Sequence, residues 1–344
     1  MEFKDFCLRQ EDVEAARSLR DFLPEDIFDM HCHIYDASFA PTLCAAGGGF
    51  ARSRRTVGDY LREMRPLLGA KVNIRANLIL PPDPAMARRG SGLRDRATRF
   101  LCEALDAHRE CVGEGIVLAD DTEEDLERLL CHPRICGLKC YNTLGRNPAC
   151  AQIRDYLPES AWRVADAHGL LITLHLARPK ALSDEEDFQY IVSMTRKYPR
   201  AKLMLAHAAR GFAPWTCIGR VRQLQDCENI WFDLSAVCES PSMIAVLRGA
   251  GIERVVWGSD YPVAMLRGKA ISLADGFYWI DAEDARRFSQ KAPVRVNLIA
   301  IENLLAVRQA CALLDLSGEQ VKKLFYENAL RLLRECCPAI EKEA

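Results

Sequence analysis

The sequence lacks what would place it in a membrane, on nucleic acid or outside the cell. No stretch of about 18 apolar residues occurs that could span a bilayer, and the first thirty residues mix acids, bases and short apolar pairs without an apolar h-region. Neither a membrane partner nor a secretory leader is expected. Basic charge is not in excess, since 46 Lys+Arg face 48 Asp+Glu for a formal net charge of -2. That balance argues against a nucleic-acid partner, whose electrostatic footprint is a basic patch. There is no CxxC pair for a zinc ribbon or redox motif, no GxGxxG after the first apolar run, no internal repeat and no low-complexity linker.

Cysteine, by contrast, is plentiful. The 15 cysteines are odd in number and scattered, several of them inside apolar runs (Cys102, Cys136, Cys140, Cys311). They read as reduced thiols of a cytoplasmic protein. With 344 residues, 49% of them hydrophobic, the chain can bury a large core. One domain spanning residues 1–344 is expected.

Short β-rich apolar runs occur at Ile27–Ile34, Val72–Leu80, Cys111–Leu118, Ile135–Tyr141, Leu170–Leu176, Lys202–His207, Asn229–Leu234 and Arg254–Trp257. Segments of helical periodicity lie between most of them, at Ala97–Ala107, Thr122–Leu130, Pro158–Ala167, Asp187–Lys197 and Phe212–Leu224. Strands alternating with helices predict an α/β fold, a (β/α)8 TIM barrel whose active site is built at the C-terminal ends of its strands. An N-terminal segment, Glu2–Phe22, and a C-terminal helical tail, Ala300–Glu335, fall outside this rhythm and are expected on the barrel's outside. The connection Tyr35–Lys71, with Gly47-Gly48-Gly49 followed by Arg52, Arg54 and Arg55, reads as a flexible cationic loop.

The strongest local signal is Asp29-Met30-His31-Cys32-His33 at the end of the first strand. Residues two apart on a strand share a face, so His31 and His33 converge, and paired imidazoles suit zinc and similar divalent ions. His175 and His207 are each the first polar residue after an apolar strand, and Asp260 holds the equivalent place after the eighth. Five such residues at strand C-termini describe one site rather than five separate core positions. His108, His132 and His168 lie in helices or loops and read as surface residues.

These motifs, with Gly137-Leu138-Lys139, Tyr198-Pro199, Gly258-Ser259-Asp260-Tyr261-Pro262 and Tyr326-Glu327-Asn328-Ala329, resemble the amidohydrolase superfamily over nearly the whole chain. The resemblance is to its amidohydrolase-2 branch, which includes a muconate semialdehyde decarboxylase and several lactonases. It implies that His31, His33, His175 and Asp260 surround one divalent metal ion, usually Zn2+ with Mn2+ as the alternative, and that His207 stands beside the metal-bound water. Asp260 is then ligand, general base or both.

The residues themselves support such chemistry. A bound divalent ion supplies hydroxide near neutral pH, and a neighbouring carboxylate such as Asp260 can move its proton. His207 would polarise the oxyanion or serve as a further ligand. Lys139 has three readings: a carbamate bridging two metals, a cation for a substrate carboxylate, or a lysine snorkelling at the rim. One metal is the favoured count. Tyr141, Arg178 and Arg210 complete the expected substrate-binding set, the arginines because their planar fork suits carboxylate or phosphate. The expectation is a metal-dependent hydrolase acting on a small anionic lactone, ester or amide. Its alternative is a non-oxidative decarboxylase using the same residues. A small-molecule substrate is the expected partner, with a homo-oligomer left open.

Overall fold

The computed structural model describes residues 8–290, 296–337 and 339–340, so residues 2–7 of the N-terminal segment lie outside the described residues. Eight parallel strands run in chain order around one sheet: β1 (Asp26–His33), β2 (Asn73–Ile79), β3 (Val112–Ile116), β4 (Ile135–Cys140), β5 (Leu171–Leu174), β6 (Lys202–Leu205), β7 (Ile230–Asp233) and β8 (Val255–Val256). The ends of the sheet meet. Met30 N–H donates to the Trp257 carbonyl at 3.1 Å, Asp260 N–H to His31 at 2.8 Å and His33 N–H to Tyr261 at 2.8 Å. With helices covering the outer face, the architecture is a (β/α)8 TIM barrel.

The interior is filled in layers, as short barrels require. At the N-terminal end of the strands lies an apolar plug formed by Phe28, Met30, Val112, Leu171, Met204 and Trp231, with further residues from β4 and β8. Above it sits a polar layer of Asn77, Glu114, Lys139, Thr173 and Asp233, all fully buried. The histidines and Asp260 follow at the C-terminal end. One extra residue in β1, between Asp29 and Cys32, shifts its register against β2. This bulge lets Met30 join the apolar plug while the next residue, His31, reaches the site.

Three segments depart from the sequence reading. The connection after β1 is not a flexible loop throughout, because Val57–Leu68 is a helix started by a Thr56–Asp59 capping box. Its arginines are matched within the protein, Arg55 and Arg52 to Glu63 and Arg54 to Asp36. The C-terminal tail divides in two. Helix Ile299–Leu313 packs outside the barrel against helix Ser240–Gly249, whereas Leu332, Leu333 and Cys336 of helix Asn328–Cys336 seal the N-terminal end of the barrel. The helical tail was legible in the sequence, but which surface each part covers is a tertiary matter. Finally, a hairpin unforeseen from sequence, β9 (Gly268–Leu273) and β10 (Gly276–Asp281), follows β8 and leads into helix Ala282–Phe288.

Candidate active site

The first strand delivers its histidines through a carboxylate anchor that sequence reasoning missed. Asp29 accepts from His31 N–H at 3.0 Å, Ser259 N–H at 2.8 Å and the Tyr60 hydroxyl at 2.8 Å, tying β1 to the segment that carries Asp260. Burial pushes its carboxyl up to about 6, despite those bonds.

A second missed acid, Asp233 at the end of β7, sets the His31 ring. His31 Nδ1–H donates to Asp233 Oδ2 at 3.1 Å, leaving the Nε2 lone pair facing the site. Asp233 Oδ1 accepts the backbone N–H groups of His207 (3.1 Å) and Ser235 (2.9 Å). Burial alone would raise this carboxyl, but the imidazoles of His31 and His207 and the Ser235 bond outweigh it and hold it well below the usual carboxylate range. Burial, followed by the Lys139 charge, lowers the His31 imidazole to about 3, which suits a neutral ligand. The signal for Asp233 was an acid inside the otherwise apolar run Ile230-Trp231-Phe232-Asp233.

His207 follows β6 on an unusual backbone. His207, Ala208, Ala209 and Arg210 all have φ between 51° and 58°. Each non-glycine residue in this left-handed region costs about 1–2 kcal/mol, and such turns persist where surrounding contacts enforce them, often at functional sites. Here Asp233 holds the first N–H, and Gly211 N–H closes the turn on the His207 carbonyl at 2.7 Å. His207 Nδ1–H donates to the Ser235 carbonyl at 3.0 Å, so its Nε2 also faces inward.

The donor set fits a divalent cation. Ligand atoms of His31, His207 and Asp260 lie within 4.8 Å of one another, all buried. His33 Nδ1–H is committed to the Ile79 carbonyl at 3.2 Å, yet its Nε2 meets Asp260 Oδ1 at 3.1 Å. Two electron-rich atoms aimed at one another require a proton or a metal cation between them. Burial would raise the Asp260 carboxyl, but the His33 bond and the charges of His207, His31 and His33 hold it well below its usual range. His175 stands at the edge of the cluster, its ring 5.0 Å from that of His207 in an edge-on arrangement.

The expected substrate-binding residues separate into distinct environments. Lys139 is not a rim lysine: it is fully buried, with Nζ 3.4 Å from His31 Nε2. Burial lowers its ammonium, opposed by Glu114 and Asp233. Glu114, the third missed acid, accepts from Asn77 (2.5 Å) and Thr173 (2.8 Å) through Oε1, while its buried Oε2 has no partner among the described residues. Burial pushes its carboxyl up to about 7. Tyr141 donates its hydroxyl to the Leu80 carbonyl at 3.0 Å and presents its ring to Lys139.

Arg178 is held by Asp184 at 2.6 Å and Glu186 at 3.1 Å, so its charge is matched within the protein. Arg210 differs. Its guanidinium makes one long contact, 3.4 Å to the Leu176 carbonyl, and its buried Nε has no partner among the described residues. It lies within electrostatic reach of His175. His108, His132 and His168 pair with Glu110, Asp106 and Glu127 away from the site.

The Amidohydro_2 family model, described as amidohydrolase, matches residues 28–334. The chain belongs to the amidohydrolase family. Among solved structures it is similar to 5-carboxyvanillate decarboxylase LigW from Sphingomonas paucimobilis, with 15% identity, a TM-score of 0.60 and coverage of 90% of this chain and 99% of that one. It is also similar to dihydroxybenzoic acid decarboxylase from Polaromonas sp. JS666 with bound manganese and the inhibitor 2-nitroresorcinol (13%, TM-score 0.60, 90% and 97%). A third is an amidohydrolase from Burkholderia multivorans with bound zinc (16%, TM-score 0.58, 90% and 99%). No curated protein matches the chain. At these identities the structures establish the shared barrel. No helix among the described residues is long and apolar enough to cross a membrane.

Proposed function

We propose that the protein is a metal-dependent, non-oxidative decarboxylase of a small carboxylic acid. The observation that carries the substrate reading is Arg210, a partly buried guanidinium with a buried Nε and no carboxylate within ion-pair distance among the described residues. Removing part of a cation from water without an anion beside it is costly, and a substrate carboxylate offers the bidentate partner it lacks. The decarboxylases among similar structures favour loss of carbon dioxide over the hydrolysis expected first from sequence.

The ion would be held by His31 and Asp260, with the neighbouring imidazoles of His33, His175 and His207 dividing the remaining coordination and the proton chemistry between them. When bound, it supplies a Lewis acid that draws electron density from the substrate. Arg210 orients the carboxylate. As the bond between carbon and carboxylate breaks, its electron pair stays on carbon. A proton carried by an imidazole that is not holding the ion then bonds to that carbon in place of the departing carbon dioxide. Lys139, dry and adjacent to His31, adjusts the field on that ligand.

The test is a turnover screen of zinc- and manganese-loaded protein against hydroxylated aromatic acids, muconate acids and lactones, following carbon dioxide and acid release separately. Carbon dioxide release from a carboxylic acid supports the proposal. Acid release from lactones without carbon dioxide restores the hydrolase reading. Metal content of His33→Ala, His175→Ala and His207→Ala then assigns the remaining coordination to whichever residues are needed to retain the ion.

A further inference from the structure

The hairpin β9–β10 is absent from the alternating pattern that builds the barrel, yet it reaches the site. In β10 residues two apart share a face, so Phe277 and Trp279 point one way and Tyr278 the other, where it is exposed. Phe277 and Trp279 both rest on Phe212, with ring centroids at 5.0 Å and 5.4 Å. Phe212 is stacked on His207 at 5.5 Å, and the Arg210 guanidinium lies 5.4 Å over the Phe277 ring. On the other flank of the histidines, Phe50 packs against His33 at 6.0 Å. The cation, which has no carboxylate partner among the described residues, is thus set among flat apolar faces. Rings offer a flat unsaturated substrate more contact than a puckered saturated one, and stacked rings gain beyond the area they bury.

We infer that the hairpin supplies the specificity wall of the active site. Phe277 and Trp279, seated on Phe212, select an acid whose carboxylate is conjugated to a planar ring and align that ring while Arg210 takes the carboxylate. The inference rests on the carboxylate-substrate reading above and deepens it from small acids in general to planar aromatic acids. Phe277 and Trp279 act on substrate affinity and choice, whereas the bond-breaking chemistry stays with the histidines and Asp260.

The experiment compares binding of 2-hydroxybenzoate and cyclohexanecarboxylate to manganese-loaded protein by calorimetry. Wild type is expected to prefer the planar acid by about tenfold. Phe277→Leu and Trp279→Leu, which keep an apolar side chain, should reduce that preference to about twofold with an unchanged melting temperature. Tyr278→Leu on the outward face should leave it intact. An equal affinity of wild type for the two acids, failure of both to bind, or an undiminished preference in both hairpin variants overturns the inference. If the preference behaves as expected but no acid releases carbon dioxide, the decarboxylase reading falls and the wall stands. If carbon dioxide is released while the hairpin variants keep the preference, the wall alone falls.

Discussion

Replacing Asp233 with Asn changes one atom of a fully buried side chain and should disable the metal centre from behind. Oδ1 accepts two backbone N–H groups, a role the amide oxygen of Asn can keep. The amide nitrogen then faces His31 Nδ1–H across the 3.1 Å now spanned by a hydrogen bond. Two donors cannot share that contact, so His31 Nδ1–H loses its carboxylate acceptor, and the ring is no longer fixed by that anion with its Nε2 lone pair on the site. Loss of such an orienting partner weakens metal binding by about 10–100-fold, equivalent to about 1.4–2.7 kcal/mol. The lost charge-assisted bond costs about 1.5–3 kcal/mol of fold stability, or about 2–4 °C in Tm. Because the folded-state carboxyl is held below its unfolded value of about 3.9, this contribution is present above about pH 4 and disappears only in stronger acid. Chelator competition with zinc and manganese measures the affinity, and thermal melts of metal-free protein measure the stability. Metal affinity within threefold of wild type, with the fold intact, would refute the reasoning.

Asp260→Asn, compared with wild type at equal metal content, should lower kcat by about 10²–10⁴; activity within tenfold would remove Asp260 from the chemistry. Arg210→Ala should raise KM for a carboxylic acid by about 10–100-fold, from the loss of a charged hydrogen bond. Arg178→Ala, by breaking a surface-facing acid cluster, should change KM by less than about threefold. Equal KM effects in steady-state kinetics would reject this division. Glu114→Gln preserves an acceptor for Asn77 and Thr173 while removing the ionisable group. Since burial raises the Glu114 carboxyl to about 7, the native state binds its proton more tightly than the unfolded chain. Its contribution is therefore present below about pH 4.3 and is lost as pH rises through about 7. The variant's stability should gain on wild type by about 1–3 kcal/mol between about pH 5 and about pH 8, read as the difference in Tm of the metal-free proteins. A gap that does not change with pH contradicts that origin.

The sequence by itself determined the alternation of strands and helices, and with it the barrel. It also marked the strand C-terminal ends as the chemical face, because His31, His33, His175, His207 and Asp260 each interrupt or follow an apolar strand. Period-two alternation needs no tertiary information to place His31 and His33 together. What it could not show was anything that depends on which element lies across the interior. Asp29, Glu114 and Asp233 read as ordinary strand residues until the closed sheet brings Asp233 onto His31, 202 positions away in sequence. The extra residue in β1 carries no sequence mark, yet it sends both Met30 and His31 inward. Arg178 and Arg210 each follow a site histidine by three residues and look equivalent in the chain. Tertiary structure surrounded the first with acids and left the second beside an aromatic hairpin with no acid in ion-pair reach among the described residues, because partners for a charge are set by neighbours in space and not by spacing along the chain.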